Sequence, residues 1–205
     1  MKKLRLLLPL LLIICLHDAS AQNVLMEEHF NENENGWSLG ENEWSVSAIK
    51  NGKLYLECKG YLKPAGGTAW LTAPDLLLPA AGFSVTCKTR WVKNRKTDGS
   101  FNPYGFVIGG YYFLAYADGN RRLLFYNTTE KKYEVIVDWG KSPFIRKDSE
   151  NTFEIVYRDG KAAFYCNGEM LFKKSVPFTD PDKLRLRLYV ENSEIVEFDD
   201  LIVKR

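Results

Sequence analysis

Histidine and cysteine are scarce in these 205 residues, at two and four copies. His17 and Cys15 lie in an N-terminal stretch that reads as a leader, so His29, Cys58, Cys87 and Cys166 are what remains. With one imidazole, multi-histidine metal centres are excluded, and any Ser-His-Asp or Cys-His mechanism would have to run through His29. A lone strand histidine is more often a surface or packing residue. No C-x-x-C occurs, which argues against zinc-ribbon and thioredoxin-type sites. Three widely spaced cysteines make no disulfide framework, although an oxidising compartment would allow one pair. Each falls in phase with apolar strand neighbours (Leu54, Leu56, Cys58; Phe83, Val85, Cys87; Phe164, Cys166), the place of a small buried hydrophobe.

Charge of one sign is also missing. The leader takes three basic residues and one acidic residue from totals of 28 and 26, leaving 25 of each sign. Nucleic-acid binders carry a basic excess, so no such partner is expected. A membrane helix needs about 20 apolar residues, and the run Leu6–Leu16 stops at 11. That run follows Lys2, Lys3 and Arg5 and precedes Ala19-Ser20-Ala21, the layout of a secretory signal peptide over residues 1–21. Cleavage after Ala21 would start the mature chain at Gln22 and send it to a secreted or periplasmic location. Lipid attachment at Cys15 is the competing reading, but bulky Ile14 stands where lipoprotein signals favour a small residue.

No stretch of ten or more residues fits a helix template. The chain instead runs in short segments of period two, from Val24–Phe30 to Ile195–Val203, the signature of strands. Asn51-Gly52, Asp98-Gly99, Asp118-Gly119, Asp159-Gly160 and Asn167-Gly168 punctuate them, and such pairs suit the positive φ angles of type I′ hairpin turns. Late in the chain Leu184, Leu186, Leu188 and Val190 point one way while Arg185, Arg187 and Tyr189 point the other. About thirteen short strands with close turns predict a single all-β domain over 22–205, an antiparallel two-sheet β-sandwich. The basic stretch Lys93–Ser100 reads as a solvated hairpin loop.

The stretch from Asn151 carries Asn151-Thr152-Phe153-Glu154-Ile155, then Phe164-Tyr165-Cys166-Asn167-Gly168, and closes on Phe198-Asp199-Asp200-Leu201-Ile202-Val203. With Glu28–Phe30 before Trp37, and Tyr104-Gly105-Phe106-Val107-Ile108-Gly109, it resembles the concanavalin A-like lectin/glucanase jelly rolls. The likeness is greatest to the laminin-G-like and keto-disaccharide-hydrolase-like domains of secreted bacterial proteins. It covers nearly the whole mature chain and is specific for fold rather than function.

The resemblance implies three kinds of site. The glucanase branch carries E-x-D-x-x-E on one strand; here Glu197-Phe198-Asp199-Asp200-Leu201-Ile202 has Ile202 in place of the third acid. A two-carboxylate hydrolase is therefore disfavoured, and no enzymatic activity is expected. Lectin-like binding needs exposed aromatic rings and polar neighbours. Phase puts Trp91 in the core and Tyr189 outward, and leaves Tyr112 and Tyr126, near Arg121-Arg122, unassigned. Arg90, Arg187 and Tyr189 are carried over as ligand-binding candidates. Relatives also hold structural calcium through oxygen ligands, for which Glu28, Asp199 and Asp200 are the candidates if the first and last strands pair. The expectation is a monomeric, exported, lectin-like module binding carbohydrate. A structural or protein-interaction domain is the alternative, and a glycoside hydrolase a second one.

Overall fold

The computed structural model describes residues 23–60, 67–94, 101–178, 184–192 and 194–205; the leader with Cys15 and its cleavage site, and residues 95–100 of the basic stretch, lie outside the described residues. Among the described residues there is no helix long and apolar enough to cross a membrane, and strands account for nearly all regular structure.

Numbered in chain order, the strands form two antiparallel sheets. The larger runs β13 (Glu169–Ser175), β12 (Lys161–Cys166), β11 (Asn151–Arg158), β6 (Gly82–Asn94), β15 (Glu194–Lys204), β4 (Lys53–Cys58), β3 (Ser45–Lys50) and β2 (Gly40–Glu41). Strand β1 (Val24–Glu28) pairs the second half of β15, beyond the stretch that pairs β4. The smaller sheet runs β10 (Lys132–Lys141), β9 (Asn120–Asn127), β8 (Tyr111–Ala115), β7 (Tyr104–Ile108), β14 (Leu186–Glu191) and β5 (Thr68–Thr72). This is the expected jelly-roll sandwich, with the two-residue β2 as an addition too short to leave a periodic signal.

The turn dipeptides do what their chemistry predicts at three of the four described positions. Asn51-Gly52, Asp159-Gly160 and Asn167-Gly168 have positive φ at both residues and close two-residue hairpins. At Asp118-Gly119 only the glycine is left-handed.

Alternation along each strand sends one set of side chains between the sheets. Phe83, Val85 and Cys87 of β6, Phe153 and Ile155 of β11, and Val196, Phe198, Leu201 and Val203 of β15 meet Phe106, Phe113, Leu186, Leu188 and Val190 of the smaller sheet. All three described cysteines are buried and free. Burial pushes the thiols up, Cys58 to about 11 and Cys166 to about 12. They fill the core, as their phase predicts.

Candidate functional site

Because Leu186, Leu188 and Val190 of β14 point into the core, Arg187, Tyr189 and Glu191 stand on the outer face of the smaller sheet. The same alternation brings Val107 from β7, Tyr112 and Leu114 from β8, and Arg122, Leu124 and Tyr126 from β9 to that face. Strand register then sets rows across the sheet. One row runs Trp70, Tyr189, Gly105, Leu114, Arg122. The next runs Thr72, Arg187, Val107, Tyr112, Leu124, Val135. Gly105 contributes no side chain to its row, and a Cβ there would meet Phe113 O at 2.1 Å.

A groove of about 580 Å³ lies on this face, a size usual for small-ligand sites. Tyr112, Leu114, Tyr116, Leu124 and Tyr189 line it together with Phe101–Pro103 and with Tyr133, Val135 and Trp139 of β10. Tyr112 packs edge to face on Tyr189 at 5.4 Å and on Tyr133 at 5.3 Å, and Tyr116 lies tilted against Trp139 at 4.5 Å. Trp139 and Tyr133 keep about half their surface in solvent. Rings exposed on a groove wall are free to receive a ligand.

The polar groups are few. Glu191 is the single carboxylate among the described lining residues. One of its oxygens accepts the Tyr189 hydroxyl at 2.7 Å and the other accepts Asn192 Nδ2 at 3.3 Å. Asn192 Nδ2 also donates to Asn102 Oδ1 at 2.9 Å, and the Asn102 amide donates to buried Glu194 at 2.7 Å. A second Glu194 oxygen takes Trp91 Nε1. This chain of bonds ties the Phe101–Pro103 wall to the groove floor. Burial raises the Glu191 carboxyl above the ordinary range, against the two donors that favour its charge. Burial likewise holds the phenols of Tyr112, Tyr116 and Tyr189 well above theirs, so at neutral pH they are hydrogen-bonding hydroxyls rather than bases.

Arg122 completes the groove. Its guanidinium carbon sits 4.9 Å over the Trp139 ring, and its nearest carboxylate, the largely exposed Asp138, is 3.7 Å away. Its Nε is buried with no hydrogen-bond partner, a state that costs roughly 1–3 kcal/mol. Beyond the groove, Arg187 lies 5.4 Å over Trp70, and Arg185 and Arg187 line a smaller hollow with Val107, Gly109 and Gly110.

The sequence candidates divide accordingly. Tyr189 and Arg187 share the groove face. Tyr189 faces outward as expected, yet Tyr112 and its neighbours cover it to 3 % exposure. Arg90 is elsewhere, on the outer side of the larger sheet, with Nε and a terminal nitrogen 2.9 and 2.8 Å from Glu197. Trp91 is half-buried against the core. Sequence reasoning did not assign Arg122, Tyr133, Trp139 or Glu191 to the site. Tyr111–Ala115 is buried on both faces, so alternation there marks no outside, and bulges break the phase of β10.

The calcium candidates do not converge. Both oxygens of Glu28 accept N–H groups, from Phe30 at 2.8 Å, Asn35 at 2.8 Å and Trp37 Nε1 at 3.0 Å. Asp199 faces Lys53 at 3.2 Å, and Asp200 holds Lys88 at 2.8 Å and His29 at 2.7 Å. Carboxylates committed to donors and cations do not fit a calcium shell. Among the described residues no cluster suited to a metal ion forms. Nor do the acids of β15 converge: Glu194, Glu197 and Asp199 face Trp91, Arg90 and Lys53 respectively.

No protein-family model and no curated protein matches the chain. Solved structures do. The CBM2 module of the evolved Dit of Lactobacillus casei BL23 phage J-1 aligns with a TM-score of 0.59 at 8% identity, over 89% of this chain and 95% of that one. A structure titled for endo-acting O-glycanases of the human gut microbiota aligns at 0.58 and 12% identity, over 89% and 99%. The family 7 alginate lyase A1-II′ aligns at 0.54 and 11%, over 81% and 85%. The chain spans about half of the botulinum neurotoxin serotype D binding domain, 48% of it, at a TM-score of 0.54. At such identities these likenesses show the fold alone, a two-sheet jelly-roll sandwich.

Proposed function

Taking the jelly-roll sandwich as premise, we propose that this chain is an exported module that binds a carbohydrate chain along the outer face of its smaller sheet without cleaving it. One observation carries the reading: a groove walled by half-exposed Trp139 and Tyr133 and floored by hydroxyl-bearing rings. Pyranose C–H faces stack on such rings, and sugar hydroxyls exchange hydrogen bonds with phenols and a carboxylate. A single lining carboxylate supports binding over hydrolysis, which by its usual route takes two. The basic leader with its A-x-A site supports delivery outside the cytoplasm.

The test is affinity electrophoresis and calorimetry of the chain from Gln22 against a panel of soluble polysaccharides. Trp139→Ala is expected to weaken binding at least tenfold and to leave the unfolding midpoint nearly unchanged, since the ring is 51 % exposed. A panel without a binder counts against the reading. New reducing or unsaturated ends that appear with the parent and vanish in Glu191→Gln would make it an enzyme instead.

A further inference from the structure

We infer that the glycan held on this face is an anionic polymer, one with carboxylate or sulfate groups repeated along its length. This rests on the carbohydrate reading and adds the ligand's charge to it. The charged side chains of the face are mostly positive: Arg122 in the groove, then Arg187 on β14 and Arg185 just before it. Against them stands Glu191, whose two oxygens are already engaged by Tyr189 and Asn192. Asp138 approaches Arg122 only to 3.7 Å and is mostly in solvent. No carboxylate of the described residues pairs with Arg185 or Arg187. Of these three guanidinium groups, two have no acidic partner among the described residues and the third has only a solvent-exposed one, which leaves them open to an outside anion.

Two features extend this from charge to chemistry. The buried Nε of Arg122 has no partner, so a donor already stripped of water points to a missing acceptor. Aromatic rings lie under two of the guanidiniums, Trp139 under Arg122 and Trp70 under Arg187. A guanidinium held over a ring can still offer edge N–H donors to a carboxylate or sulfate. Spacing then selects a polymer. Arg187 on β14 and Arg122 on β9 are three strands apart, about 14 Å at the usual strand spacing. No small anion bridges that distance, whereas a chain with regularly placed charges does, its uncharged faces resting on the rings between.

The experiment is calorimetric titration of the chain from Gln22 with two matched pairs. One is polygalacturonate and the same polymer fully methyl-esterified; the other is a sulfated galactan and its desulfated form. The expected result is at least tenfold tighter binding of the charged member of one pair or both, weakening as salt is raised. The pair that discriminates identifies carboxylate or sulfate as the recognised group. Arg187→Gln, and the exposed-side double variant Arg185→Gln/Arg187→Gln, should lose at least fivefold on the charged polymer and little on the neutral one. The double variant keeps the test decisive if Arg122→Gln disturbs Tyr116 and Trp139. Equal binding within both pairs, or unchanged binding by the arginine variants, overturns the anionic assignment while the carbohydrate reading stands. Absence of binding to all four polymers counts against both.

Discussion

Among single residues, Glu28 shows best how a carboxylate outside the groove is used. It is 3 % exposed, and its oxygens collect the Phe30 amide, Asn35 Nδ2 and the indole N–H of fully buried Trp37. Glu28→Ala strands two buried donors at once and is expected to cost roughly 2–4 kcal/mol, read as a lowered urea midpoint with an unchanged m-value. An unchanged midpoint would mean that water replaces the carboxylate at no cost. His29, next in sequence, titrates in the open. Its hydrogen bond to Asp200 raises its pKa above the ordinary 6.5, and the Asp200 carboxyl is lowered by Lys88 and then His29. The raised histidine stabilises the fold fully below pH 6.5, and that contribution fades as pH climbs through its folded value. The lowered aspartate stabilises above its ordinary 3.8 and fades as pH falls through its folded value. Both act together between those limits. Proton NMR of His29 should give a midpoint above 6.5 that drops back in Asp200→Asn, a replacement that tolerates the positive φ of that position. A midpoint indifferent to the substitution would remove the pair. Cysteine phase was legible in the sequence, because it depends only on neighbours two places away. The partners of Glu28 were not, because they come from a loop whose path no periodicity records.

Strands and their turns were legible to within a few residues, since alternation and Asn-Gly or Asp-Gly pairs are local signals. Faces were legible only where one side meets water. The smaller sheet is clothed on both sides, by the core on one and by its own tyrosines on the other. Position 105 belongs to this level as well. Gly105 has φ +149°, and a Cβ would collide with backbone of the neighbouring strand. Gly105→Ala is expected to cost about 2–4 kcal/mol through strain and crowding. Gly160→Ala, in a hairpin with nothing within 4 Å, should cost only about 1 kcal/mol from its left-handed backbone. Paired thermal melts check the order, and equal shifts would mean that β7 can move away from β8.

For the molecule as a whole, register between distant strands was beyond the sequence. Arg90 and Arg187 look alike there, each alternating with apolar neighbours, yet one pairs with Glu197 on the larger sheet and the other lines the smaller. Periodicity distinguishes inside from outside; it does not say which sheet a strand joins. Strand β15 shows what long-range pairing does. It contacts β6 along most of its length and also pairs β4 and β1. Deleting residues 194–205 would open the centre of the larger sheet, leaving three strands without a partner on one side and the Phe198 and Val203 positions empty. Loss of the cooperative unfolding transition and of near-UV circular dichroism is expected. A truncated chain that still melts sharply would show that the larger sheet closes without it. Since such pairings must wait for distant segments to meet, refolding is expected on the millisecond-to-second scale.

The union of β1 with β15 also has a spatial outcome. The Arg205 amide donates to Asn23 O at 2.9 Å, so both extremities of the described chain leave the sandwich at one corner. A fluorophore, a bead or a fused domain joined at the front or at the back would hang from the same point and present the groove in the same attitude. Immobilising the protein by either end should therefore leave ligand capture equally accessible.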